Sequence, residues 1–203
     1  SFPTRRSSDL QYARLGFNST PRGRHVGWGT ANYCIMFERD YLELLGIVDP
    51  TQLTNQLDRF LVEREGMLGI ALASRDADAT REAWSESGLQ PELVRALGRL
   101  LEAEGNPLEL RFRNVGLPRS STHELSLFAC QHLTPEPMRR PAWLAHPNGA
   151  LAIRSCILCA SNIAPAAEAL RLILGELQIA DVRQSVGISL IHDFENFTTF
   201  VPG

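Results

Sequence analysis

Apolar positions in this chain fall into short runs separated by polar turns, a pattern that predicts many strands and a few amphipathic helices. The runs at 29–37, 41–47, 68–74, 108–115 and 125–131 are short, apolar and bounded by turn-forming residues, so each reads as a strand. Leu53, Leu57, Phe60 and Leu61 recur at helical spacing among Arg and Glu, which predicts a connecting helix over 53–65. The carboxylates of Asp76 and Asp78 stand where a helix of about 79–87 needs N-terminal acceptors, and Gly88 ends it. A second strand-helix pair follows at 151–160 and 164–174, with Ser161-Asn162 as the cap. Gln11 to Phe17 reads as the last turn of a helix entering a strand at Leu15–Phe17, and further strands are expected near 186–191 and 196–201.

These elements repeat one plan, a strand and a helix followed by two or three strands, which is an α+β organisation of tandem βαβββ modules. Residues 1–10 show no strand or helix period and no signal-peptide apolar core; they resemble a translated sequencing adapter and are set apart. The expected segments are a partial first module at 11–50, the connecting helix at 51–66 and a second module at 67–134. A Pro-rich linker at 135–149 and a partial third module at 150–203 complete the division, so both ends read as interrupted modules.

Charge and composition exclude more than they identify. With 20 basic and 23 acidic side chains among 203 residues the net charge is −3, which gives no electrostatic case for nucleic acid or an anionic membrane. No apolar run approaches the roughly 20 residues of a membrane span. Cys34, Cys130, Cys156 and Cys159 sit in apolar runs rather than in a disulfide framework, so a reducing, cytoplasmic setting is expected. Cys156 and Cys159 spell C-x-x-C, but on a strand residues three apart face opposite sides, and they read as small core residues. The chain has no G-x-S-x-G elbow, phosphate-binding Gly-Lys loop or H-E-x-x-H pair.

The candidate chemistry is concentrated in two words. Arg24-His-Val-Gly-Trp-Gly-Thr-Ala-Asn32 combines glycines that allow close backbone approach with His25, which could donate to a bound carbonyl. Its bland reading is a hairpin whose Trp28 plugs the core. In Tyr41-Leu-Glu-Leu-Leu-Gly-Ile47, Glu43 stands in an apolar run where an uncompensated carboxylate would be costly, so it requires a partner: a metal, a ligand, an arginine or backbone amides. His132 ends an apolar strand, where it suits either a cavity mouth or a cap. His146 opens His-Pro-Asn-Gly and reads as a hydrogen-bonded turn histidine, while Trp84 and Trp143 read as packing residues. His123 and His192 stand near expected loops and are assigned no role.

The repeated βαβββ plan resembles the vicinal oxygen chelate superfamily, which includes glyoxalase I, extradiol dioxygenases and bleomycin-resistance proteins. The words at 20–32 and 41–47, Phe128-Ala-Cys-Gln-His-Leu-Thr-Pro135 and His146-Pro-Asn-Gly-Ala150 resemble bacterial glyoxalase-like domain proteins over about residues 11–203. The resemblance implies curled mixed sheets around a small-molecule cavity and a divalent metal acting as a Lewis acid. It places a metal ligand at Glu43, allows His132 as another, and gives Glu43, His25 and His132 catalytic roles. Trp28, Asn32, Tyr41 and Phe128 then contact substrate. The ligand position of the second module falls on Gly69, which cannot ligate. The implied activities are a lyase, isomerase or dioxygenase reaction on a small carbonyl or oxygen-rich metabolite. The alternative is metal-free sequestration of a small molecule. A homodimer is implied by the habit of superfamily members of building a cavity across two chains.

Overall fold

The computed structural model of the chain describes residues 8–102, 107–122, 126–153, 163–174, 182–183 and 187–188. Helix α1 (Ser8–Arg14) stops at Gly16, whose φ of 82° closes the turn. The amides of Leu15, Gly16 and Phe17 bond back to the carbonyls of residues 11–13, so Leu15–Phe17 is a helix-ending turn rather than the expected strand. Strands β1 (Gly23–His25), β2 (Thr30–Met36) and β3 (Tyr41–Ile47) follow. Helix α2 (Leu57–Glu63) is shorter than its apolar spacing suggested. Its start is delayed by the left-handed backbone of Asn55 and Gln56.

Next come β4 (Gly69–Ala73), α3 (Ala77–Glu86), β5 (Arg95–Leu101), β6 (Leu108–Gly116) and β7 (Ser126–His132). The carboxylate of Asp76 accepts from the amides of Asp78 and Ala79, the N-cap anticipated for α3. Short α4 (Pro141–Leu144) lies in the Pro-bearing segment, and α5 (Ile163–Leu174), β8 (Val182–Arg183) and β9 (Gly187–Ile188) complete the described elements. The C-x-x-C pair, His123, His192 and the strand expected at 196–201 lie outside the described residues, as does the strand expected at 151–160 beyond residue 153, residues 151–153 being irregular.

Seven strands pair in the order β3-β2-β1-β5-β6-β7-β4, and β4 with β7 is a parallel pair among antiparallel ones, so the fold is α+β with a mixed sheet. The chain divides into two compact units. The first holds residues 1–66, 97–111 and 133–152, and the second holds 67–96, 112–132 and 153–203. In the second, Ile70, Leu72, Val115, Leu127 and Ala129 pack with Trp84 of α3 and with Ala167, Leu170 and Ile173 of α5. Trp84 donates its indole N–H to the Ile173 carbonyl at 2.9 Å, so the packing role expected of it includes a satisfied polar group.

In the first unit, Cys34, Ile35, Met36, Leu101, Leu110 and Met138 are buried. His146 Nδ1 accepts the Asn18 amide at 3.1 Å, and its Nε2 donates to the Met36 carbonyl at 2.9 Å. This histidine therefore clasps the turn after α1 and the segment before Gly149 onto β2. Arg139 donates to the carbonyls of Phe37, Glu38 and Arg39, holding the β2–β3 turn.

Candidate functional site

Strand alternation sends residues 30, 32, 34 and 36 of β2 to one face, and the antiparallel register sets Glu43 of β3 beside Cys34 on that face. Pairing of β1 with β2 and with β5 adds His25, and places Arg99 directly opposite it. One face of the first unit thus gathers His25, Thr30, Asn32, Cys34, Glu43 and Arg99 from four strands. No local segment contains this set; register alone assembles it.

Glu43 is at the centre. Its Oε1 accepts from the Asn32 side-chain amide, lies 3.9 Å from His25 Nε2 and 4.0 Å from Arg99 Nη1. The Glu43 side chain is 31% exposed and His25 22%, whereas Arg99 is only 4% exposed. The carboxylate can therefore be reached from solvent while the guanidinium behind it cannot. The other His25 nitrogen, Nδ1, is 2.8 Å from Thr30 Oγ1, which fixes the ring. Burial lowers the His25 pKa below the ordinary histidine value and the Arg99 charge adds to this, against the opposing pull of Glu43 and Thr30. The ring is consequently neutral at pH 7.

Arg99 donates to two sulfurs, Cys34 Sγ at 3.5 Å and Met138 Sδ at 2.9 Å. Burial acts to lower its pKa, but Cys34, Glu43 and Tyr41 outweigh it and the guanidinium stays charged. Burial pushes the Cys34 thiol up to about 11, even though Arg99 pulls the other way.

The residues singled out in sequence are distributed unevenly. His25, Asn32 and Glu43 come together, and Tyr41 lies buried on the same face of β3, two residues from Glu43. Trp28 is not a core plug. It is half-buried in the β1–β2 turn, its ring 6.0 Å from the His25 ring, because Gly27 at φ 74° turns the chain there. Phe128 and His132 lie on β7 in the second unit, where the His132 ring meets Phe112 edge-on at 4.8 Å. Arg99 and Thr30 were not anticipated as members. The available signal was an arginine inside the apolar run Ala96-Leu-Gly-Arg-Leu-Leu101, whose alternation points Arg99 the same way as Leu101.

The donor set fits a divalent ion poorly. Among the described residues no group of three or more His, Cys, Asp and Glu side chains could hold a metal. The Glu43 oxygen already accepts from Asn32 and has a guanidinium 4.0 Å away. The nearby guanidinium already supplies this carboxylate with a positive neighbour, and a cation added there would meet a like charge. At Gly69 an added Cβ would run into the Ser126 carbonyl oxygen, so that position has no room for a ligand side chain. No helix among the described residues is long and apolar enough to cross a membrane.

A strand-built polar site on a mixed α+β sheet defines the class. The chain belongs to the glyoxalase-like domain family, whose model matches residues 6–174, and this family is of the vicinal oxygen chelate type. Among solved structures it is similar to a hypothetical protein from Staphylococcus aureus, with a TM-score of 0.66 and 15% identity over 82% of this chain and 70% of that one. At that identity the likeness concerns the fold alone. No curated protein matches the chain.

Proposed function

We propose that this chain is an enzyme of lyase or isomerase type acting on a small carbonyl or oxygen-rich metabolite at the Glu43 site. Glu43 is the proton acceptor, Asn32 orients its carboxylate and neutral His25 offers a hydrogen bond to the substrate oxygen. Trp28 and Tyr41 border the place where the substrate lies. The reading rests on one observation: a solvent-reachable carboxylate is held by an amide donor beside a neutral imidazole and a buried cation. A small-molecule ligand is the partner this assigns. The reading includes a cytoplasmic setting, supported by cysteines that fall in apolar runs rather than in a disulfide framework, and a homodimer, supported by the habit of the superfamily.

The test is solvent exchange at an acidic carbon. The full chain is incubated with hydroxyacetone in D2O, and loss of the C–H signals next to the carbonyl is followed by proton NMR. The wild-type chain exchanges them faster than buffer, and Glu43→Gln loses at least about 100-fold of that rate, the scale of one general base. Saturable binding of hydroxyacetone without exchange would instead support the sequestering role.

A further inference from the structure

We propose that Trp28, Leu45 and Ile47 form an apolar wall beside Glu43, and that this wall selects uncharged carbonyl compounds bearing an aromatic or bulky alkyl group over small or anionic ones. This rests on Glu43 being the proton acceptor.

The first argument is direction. Strand alternation puts Tyr41, Glu43, Leu45 and Ile47 on one face of β3. Toward Tyr41 this face is closed, because Tyr41, its partner Met36 and the Cys34 opposite Glu43 are all buried. Toward Ile47 it opens: Leu45 and Ile47 are half-buried, as are His25 and Trp28. The register sets Leu45 opposite Asn32 and Ile47 opposite Thr30, whose hydroxyl meets the His25 ring. The Trp28 ring stands 6.0 Å beyond that ring. A substrate whose acidic carbon meets Glu43 therefore has the rest of its bulk directed toward Leu45, Ile47 and Trp28.

The second argument is size. Two residues of a strand advance about 7 Å, so Leu45 lies about one aromatic ring away from Glu43 along β3. A phenyl group next to the carbonyl spans that distance, whereas a three-carbon compound ends short of it. Apolar surface buried there is remote from the reacting bond, and the binding energy it contributes is available to the transition state.

The third argument is charge. Glu43 presents a negative group that is 31% exposed, while the Arg99 guanidinium, at 4%, is shut away from the open side. Arg24, the neighbour of His25 on β1, points to the opposite face by alternation, and both it and Arg22 bond to Glu102. A phosphate or carboxylate on the substrate would thus be set against Glu43 and apolar side chains, and both disfavour it.

The experiment runs the exchange assay on the full chain with hydroxyacetone, 2-hydroxyacetophenone and dihydroxyacetone phosphate, each kcat/KM being divided by the rate of that compound in buffer. In all three the C–H bond next to the carbonyl breaks and its proton bonds to a Glu43 oxygen. The C–H electron pair forms the C=C bond and the carbonyl π pair moves onto oxygen; the reverse step returns a deuteron drawn from D2O. The expected results are a normalised value for 2-hydroxyacetophenone about 10-fold or more above that for hydroxyacetone, with dihydroxyacetone phosphate the poorest of the three. Trp28→Ala should lower the ratio of the aromatic to the three-carbon compound by about 10-fold, and Trp28→Phe should keep most of it, with circular dichroism to confirm folding. Equal or lower values for 2-hydroxyacetophenone, preference for the phosphate, or an unchanged ratio in folded Trp28→Ala would each overturn the inference. If Trp28→Ala does not fold, the comparison of compounds in the wild-type chain decides. Exchange that depends on Glu43 without preference for the aromatic compound removes the wall but keeps the proton acceptor. Exchange that survives Glu43→Gln, or no wild-type exchange of any of the three compounds, removes both.

Discussion

His25 carries a consequence for stability that can be given a sign. Its folded pKa lies below the value of 6.5 for the exposed group, so protonation favours the unfolded chain. The full contribution is present above pH 6.5 and is lost as pH falls from there toward the folded value. Urea unfolding midpoints between pH 8 and pH 5 should therefore decline below about pH 6.5, and the decline should be shallower in His25→Gln. An unchanged slope in that variant would remove His25 as the cause. Cys34 is buried with its thiol pKa raised to about 11. At pH 8 it should resist iodoacetamide in the native chain and react once urea is added, as read by peptide mass mapping. At this scale the sequence was informative where an ionisable residue interrupted an apolar strand. Glu43 was visible for that reason, and its need for a partner was a matter of desolvation. Which partner it found was invisible, because Asn32, His25 and Arg99 are brought to it from three other strands.

Elements whose two faces differ in polarity, or whose ends carry caps, were legible. Strand β3 spans Tyr41–Ile47 as its short, bounded apolar run indicates, and Asp76 caps α3. Strand β5 was missed since Arg95-Ala-Leu-Gly-Arg-Leu-Leu101 combines a glycine and two arginines with good helix formers. The pairing of β5 with β1 overrides that local preference. The turn at Leu15–Phe17 was misread because a short apolar run is compatible with either a strand or a helix end, and only the positive φ of Gly16 decides it. Gly69 gives the prediction proper to this scale. In the parallel β4–β7 pair a methyl group at this position would strike the backbone oxygen of Ser126, which cannot swing aside as a side chain can. Gly69→Ala should lower stability by about 1–3 kcal/mol, measured by thermal or urea unfolding. A melting temperature equal to that of the wild type would show that β4 tolerates a shift.

For the molecule as a whole, the order of short strands and capped helices in the sequence determined the α+β class and the resemblance to glyoxalase-like proteins. Local periodicity and capping depend on near neighbours, which a linear reading contains. The near-neutral charge likewise bounded the partners without naming one. Only the tertiary structure decided that an arginine of β5 stands behind the Glu43 carboxylate. That distance depends on strand order and register across β3, β2, β1 and β5, and residues far apart in sequence meet only when those pairings form.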